Sequence, residues 1–277
     1  MSSSLIENNL EPFNLQNAKA IIKPSNTVFW LRRDLRLTDN AGLYYALKEN
    51  KNVIPLFIFD TEILEKLEDE SDRRVDFIYQ SLNLLKNQFE ARGSSLLVLH
   101  GNPIELFKKL KPKSVYTNRD YEPYAQRRDE AVQKILEQGG SSFKAFKDQV
   151  IFERDEVLKE DKNPYAIFTP YSKKWKLRLN KFYLESYPSE KYFNNLLKTK
   201  PLPFPTLDDI GFKATGAIFS PKIVKKSIIG VYHKERNFPA IHGTTHLGVH
   251  LRFGTISIRK LVQIALQKNQ IWLNELI

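Results

Sequence analysis

The sequence predicts an α/β protein whose first half is a five-stranded, parallel, doubly wound sheet. Three observations lead there. Apolar runs of strand length recur at 28–31, 53–59, 96–99, 115–117 and within 143–152. Segments of helical period separate them, and tight hairpin signals are missing between them. Strands joined through helices of this length pair in parallel, and right-handed crossovers then put helices on both faces.

The elements follow in order. VFWL at 28–31 is a short strand ending in a charged loop. Asp39 or Asn40 can cap a helix over 41–49. VIPLFIF at 53–59 is a second buried strand. Ser71 or Asp72 opens a long helix whose Val75, Ile78, Leu82, Leu85 and Phe89 fall on one face, with Gly93 after its end. LLVL at 96–99 is the third strand, and Pro103 starts a helix running to 110. The fourth strand, 115–117, leads to a helix over 123–138 that Gly139 and Gly140 break. Beyond about 155 the pattern changes. NPYAIFTPYSKKW at 163–175 is aromatic and interrupted by two prolines, and PLPFP at 201–205 excludes regular helix or inner strand. Residues 185–222 read as the core of a long linker spanning 156–222. Helix resumes over about 221–232 and from 257, where Ser257 is a plausible cap, to the end. Residues 1–26 read as a mostly flexible arm.

Composition narrows the function classes. The 277 residues lack cysteine, which removes thiolate metal sites, disulfides and cysteine nucleophiles, and five scattered histidines argue against a metal centre. No apolar run reaches membrane-spanning length, and the N-terminus does not read as a secretory signal. A soluble, monomeric, cytoplasmic protein is expected. Charge is uneven. Residues 151–277 carry 21 basic and 11 acidic side chains, against 22 and 21 in residues 1–150. A polyanionic partner would therefore meet the second half, although lysines that only solubilise give the same composition.

Three segments can carry chemistry. FWLRRDLRLTDN at 29–40 places arginines and an aspartate after the first strand, where doubly wound sheets bind ligands; such pairs equally clamp a loop. No G-x-G-x-x-G follows that strand, so an ordinary dinucleotide fingerprint is absent. NRDYEPYAQRRD at 118–129 gathers Asn118, Glu122 and two tyrosines at another strand end. Glu122 could accept from a ring N–H, or be a first-turn carboxylate favoured by the helix dipole. In YHKERNFPAIHGTTHLGVHLRFGTISIR at 232–259, the turn at Gly243, Thr244 and Thr245 offers backbone N–H groups and hydroxyls to a diphosphate, with Arg236 adding charge; it equally serves as a cap.

Taken together, VFWLRRDLRLTDNAGL, NRDYEPYAQRRD, NPYAIFTPYSKKW, RNFPAIHGTTHLGVHLRFGTIS and WLNELI resemble successive signature segments of the DNA photolyase/cryptochrome family, in the family's order, from about Thr27 to Ile277. The resemblance implies a Rossmann-like α/β antenna domain at 27–155, an interdomain linker, and the start of the all-helical FAD-binding domain at 223–277. It implies FAD contacts at Tyr232, Arg236, Thr244, Thr245, His246, Leu247 and Gly248. His246 stands where the family has arginine and Gly248 where it has serine, which loses a charge and a hydroxyl. Trp272 matches a flavin-pocket aromatic, and Glu275 a carboxylate that contacts the flipped pyrimidine pair. WLNELI is most similar to microbial cyclobutane pyrimidine dimer photolyases. The implied activity is blue-light-driven electron transfer from FAD that splits dimers in damaged DNA. The alternative is a cryptochrome-type photoreceptor without repair activity. Glu122 and Asn118 would hold an antenna chromophore, methenyltetrahydrofolate; the alternative that the resemblance implies is a flavin or deazaflavin near the segment from Arg32 to Asn40. Family members continue past WLNELI, so the resemblance implies the N-terminal part of such a protein. On its own this part is expected neither to hold FAD stably nor to repair DNA, and its residues 226–277 are expected to pack loosely, to swap with another copy or to be covered by crystal neighbours.

Overall fold

A computed structural model describes residues 14–277. Five strands, β1 (Thr27–Leu31), β2 (Val53–Asp60), β3 (Leu97–Gly101), β4 (Ser114–Asn118) and β5 (Ser142–Phe146), form one all-parallel sheet in the order β3-β2-β1-β4-β5. Side chains alternate across it with the period of two that pleating imposes. Phe29, Leu31, Phe57, Phe59, Val98 and Tyr116 enter one apolar core, and Val28, Trp30, Ile54, Leu56, Leu97 and Val115 the other.

Helices cover both faces, as expected. On the first lie α2 (Ala41–Glu49) and, after the single turn α3 (Thr61–Leu64), α4 (Arg73–Glu90). On the second lie α5 (Pro103–Leu110) and α6 (Pro123–Gln138). Short polar side chains cap α2, α4 and α5, as Asp60 caps α3, by accepting from N–H groups that the first turn leaves free. Asn40 accepts from Leu43 N, Asp72 from Arg74 N and Asn102 from Ile104 N. The second face also receives α1 (Leu15–Ile21), whose Leu15 and Ala18 are buried. Residues 14–26 are therefore no flexible arm; the rest of that expectation, 1–13, lies outside the described residues. The fifth strand stops at Phe146, and Ile151 and Phe152 leave the sheet for a third core.

The expected linker carries structure of its own. α7 (Phe168–Arg178) and α8 (Lys181–Leu184) precede two 3-10 turns, Ser189–Asn195 and Asp208–Ile210. Pro170 is tolerated in α7 because it lies in the first turn, where N–H groups lack helical acceptors. Then come α9 (Lys226–Glu235), α10 (Gly248–Arg252), α11 (Ile258–Lys268) and α12 (Gln270–Asn274). The expected unbroken helix from 257 to the end is split at Asn269, whose backbone is extended and whose side chain accepts from Ile271 and Trp272 N while donating to Ile229 O. Residues 226–277 are not loose. Ile229, Tyr232, Leu261, Val262, Ala265, Trp272 and Leu273 join Phe152, Val157 and Trp175 in the third core.

A buried ion lattice joins this core to the sheet. Asp148, fully enclosed, accepts from Arg36 Nη2 at 2.6 Å and Arg259 Nη2 at 2.8 Å, and its other contact is Ala41 N at 3.0 Å. Arg259 Nε also pairs with Asp39 at 2.9 Å.

Candidate functional site

The carboxyl ends of β1 and β4, between which the strand order reverses, build the first candidate site. Asn118 lies at its base. Its Nδ2 donates to Asp34 Oδ2 at 2.6 Å and Asn40 Oδ1 at 2.8 Å, while its Oδ1 accepts from Gly42 N at 2.8 Å. A Cβ on Gly42 would come within 2.9 Å of that oxygen. Asn118 is thus buried with both ends of its amide engaged inside the fold. The same network settles the 29–40 segment. Asp34 accepts from Arg32 N at 2.7 Å, and Arg32 pairs with Asp129 and donates to Asn118 O, so these groups clamp the loop. Burial raises the Asp34 carboxyl above its usual range despite the bonds it accepts.

Glu122 does face open space. It lines a cavity of about 400 Å³ with Arg33, Tyr121, Gln149, Val150 and Leu251. Arg252 Nη1 reaches its carboxylate at 2.8 Å and Arg33 Nη1 at 3.3 Å. The Arg252 guanidinium, helped by Arg33, holds this carboxyl below its usual range. Glu122 is therefore an ionised acceptor between two cations. Sequence reasoning missed Arg252 and Gln149. The available signal was Gly254, whose φ of 61° and whose Cβ position against the Arg33 carbonyl admit glycine alone, bringing Arg252 to the β1 loop.

The second candidate site lies on α9, the 236–247 loop and α12. Arg236 pairs with Glu275 and stands over the Tyr232 ring at 5.9 Å. Burial, with Glu275 adding to it, raises the Tyr232 phenol above its ordinary pKa. Gly243 allows the loop to close, because a Cβ there would sit 2.6 Å from Glu235 O. Thr244 Oγ1 lies 3.4 Å from the His246 ring nitrogen, and His246 adopts φ 50°. Among the described residues, the N–H groups of Thr244, Thr245, His246 and Leu247 have no acceptor. Leu247 is buried and Gly248 opens the short α10. The donor set suits an anion such as a diphosphate. The rings do not offer a flat face: Tyr232 and Trp272 are 8% and 3% exposed, inside the third core. Lys176 Nζ donates to Asn274 Oδ1 at 2.7 Å, which sets α7 beside Glu275.

A family model described as DNA photolyase matches residues 27–191. The chain belongs to the DNA photolyase family. Among curated relatives, a deoxyribodipyrimidine photo-lyase of Synechococcus is 33% identical over 253 residues, covering 84% of this chain and 52% of the relative. An uncharacterized 31.6 kDa protein of another Synechococcus strain is 32% identical over 248 residues, covering 84% of this chain and 86% of the relative. An archaeal photolyase structure from Sulfolobus tokodaii, determined with two FAD molecules, superposes with a TM-score of 0.66 at 28% identity, covering 91% of this chain and 57% of that one. The chain thus spans about half the length of the curated photo-lyases it matches. The five-stranded parallel sheet is the family's α/β architecture. No helix among the described residues is long and apolar enough to cross a membrane.

Proposed function

We propose that this chain serves in a deoxyribodipyrimidine photolyase, in the light-driven splitting of cyclobutane pyrimidine dimers in DNA. The observation that carries the reading is the gathering of Tyr232, Arg236, Glu275 and the unpaired N–H groups of 244–247 around α9 and α12. FAD, when bound, supplies the light-excited electron. The protein's part is to hold it: Thr244, Thr245, His246, Leu247 and Gly248 at its phosphates and sugar alcohol, with Arg236 and the Tyr232 hydroxyl adding polar contacts. Glu275 would meet the flipped pyrimidine pair, and Arg236 keeps it oriented. Trp272 supports the site from within the core.

Damaged DNA is the proposed partner, and α7 supports that reading. Lys173, Lys174, Arg178 and Lys181 lie on its exposed side and at the start of α8, beside Leu177 and Phe182, which are 84% and 74% exposed. Basic side chains interleaved with apolar ones suit a phosphate backbone and unstacked bases. Residues 27–155 are proposed as the light-gathering unit, 156–222 as its connection, and 223–277 as part of the flavin-binding unit. The Glu122 cavity is proposed to take the antenna, a methenyltetrahydrofolate whose ring N–H donates to the carboxylate. A flavin is the competing occupant, since the Sulfolobus relative carries two FAD molecules.

The test is the absorption spectrum of the complete photolyase proposed to contain this chain, purified from its own cells, together with repair of a thymine-dimer oligonucleotide under blue light. Flavin absorption with light-dependent dimer loss supports the reading. A flavin spectrum without dimer loss points to a photoreceptor, and a colourless protein overturns both. The 277-residue chain alone is expected to release FAD on desalting, because the Tyr232 and Trp272 rings are closed into the core.

A further inference from the structure

A cavity of about 1010 Å³ lies outside both sites. It is a trough between α4 and α11, floored by Leu35, Leu37, Phe77 and Phe219 and closed at one end by the 220–226 segment. Three features define what it can hold. Lys222, Lys226 and Lys260 line it, and none of them has a carboxylate partner among the described residues. The one aspartate on the wall, Asp39, is engaged by Arg259 and Ser257. The floor is aromatic: Phe77 and Phe219 meet edge to face at 5.0 Å, with Phe219 half-buried and open to the trough. The amides of Gln88 and Gln267, one on each flanking helix, make no side-chain hydrogen bond among the described residues.

We propose that this trough binds a nucleotide, with its phosphates between Lys222 and Lys260 and its base over Phe219 within reach of the Gln88 and Gln267 amides. A cavity of this size suits a ligand of that class, and such sites combine an apolar floor with few polar groups. Bare like charges make the empty trough unfavourable for its own lysines. Desolvation, with Arg36 and Lys260 nearby, holds the Lys222 ammonium below its ordinary pKa although the side chain is exposed, and an anion relieves this. His250 is no ligand here: its two ring nitrogens already meet Thr255 Oγ1 and Ser220 O, both at 2.7 Å.

The test is calorimetric titration of the chain with ATP, AMP, adenosine and tripolyphosphate. Micromolar ATP binding is expected, with AMP weaker and adenosine able to compete. K222A and K260A, both at exposed positions that leave folding intact, should each weaken ATP about tenfold. Gln88→Ala should weaken ATP and AMP while leaving tripolyphosphate unchanged. Arg236→Ala, at the other anion site, should leave ATP binding unchanged. The proposal is overturned if ATP does not bind, if it binds K222A/K260A as tightly as the parent, or if tripolyphosphate matches ATP and adenosine does not compete. That last outcome would make the trough a polyanion surface only. None of these results depends on photolyase activity.

Discussion

The sheet region and the region after β5 both bury apolar side chains, but they recruit them differently. In the sheet, alternate residues of each strand feed two cores, covered by helices that lie between the strands in sequence, with α2 set against both β1 and β4. After β5, one core is assembled from positions as distant as Ile151 and Leu273, on helices of at most eleven residues. Helices that short gain little from their own hydrogen bonds and depend on tertiary packing. The second region also leans on buried charge: Asp148 and Arg259 tie α11 to the loop after β1. The comparison teaches that the elements of the sheet region carry local marks in the sequence, while the helical region depends on a few buried long-range contacts whose removal should be felt there first.

The largest effect is expected from Asp148→Ala, which leaves Arg36 and Arg259 buried without their shared carboxylate. A loss of about 3–5 kcal/mol in chemical denaturation is the usual consequence of stranding a buried charge. Hydrogen exchange should rise in α11 and α12 before it rises in β1 and β2; equal acceleration would erase the distinction between the regions. Acid sharpens the same point. Burial by itself would raise the Asp148 carboxyl, but Arg36 and Arg259 outweigh it and hold the group below its usual range. A depressed folded pKa contributes stability that is present above the unfolded value and lost as pH falls through the folded one. The clamp should therefore persist from neutral pH to about pH 4 and weaken below it. Helical-region exchange that is flat between about pH 5 and about pH 2.5 would show that Asp148 carries no such role.

Leu273→Ala comes next. The side chain is fully buried in the third core, so a cavity cost of about 2–5 kcal/mol is expected. Thermal unfolding should become biphasic, with the sheet melting later. Asn118→Ala should cost about 1–3 kcal/mol by leaving Asp34, Asn40 and Gly42 N short of a partner. That loss belongs to the sheet region, and retained antenna absorbance in the refolded variant would show that Asn118 does not contact the chromophore. Glu122→Ala should be the mildest for stability, within about 0.5 kcal/mol, because the group is half exposed. In the complete photolyase proposed to contain this chain, its effect should appear instead as lost near-ultraviolet antenna absorbance with the flavin retained. Unchanged absorbance would remove Glu122 from the site.

Legibility followed the same division. The bounds of α2, α5 and α6 were readable because Asn40, Pro103, Pro123 and Gly139 mark them through their own backbone chemistry. α1 was not: its seven residues are helical because Leu15 and Ala18 pack under β3, beside α5, which no local signal announces. Trp175 lay in a segment whose prolines suggested irregular chain, yet it is a core residue of the helical region. At the candidate sites, Glu122 and Arg236 were visible as charged residues in motif positions. Arg252 was not, because its role arises only when Gly254 lets the chain lie against Arg33.

By itself, the sequence determined the parallel α/β architecture, the family, and the segments that carry the sites. Period-two burial, caps and motif order act over short spans and survive in a one-dimensional reading. Tertiary structure decided that Asn118 is interior support and Glu122 the open group. It also placed Tyr232 and Trp272 in a core, joined the helical region to the sheet through Asp148, and left a lysine-lined trough between α4 and α11. These facts depend on which distant charges meet and which neutralise one another. Coulombic pairing and burial are properties of distance in the folded molecule, and spacing along the chain does not carry them.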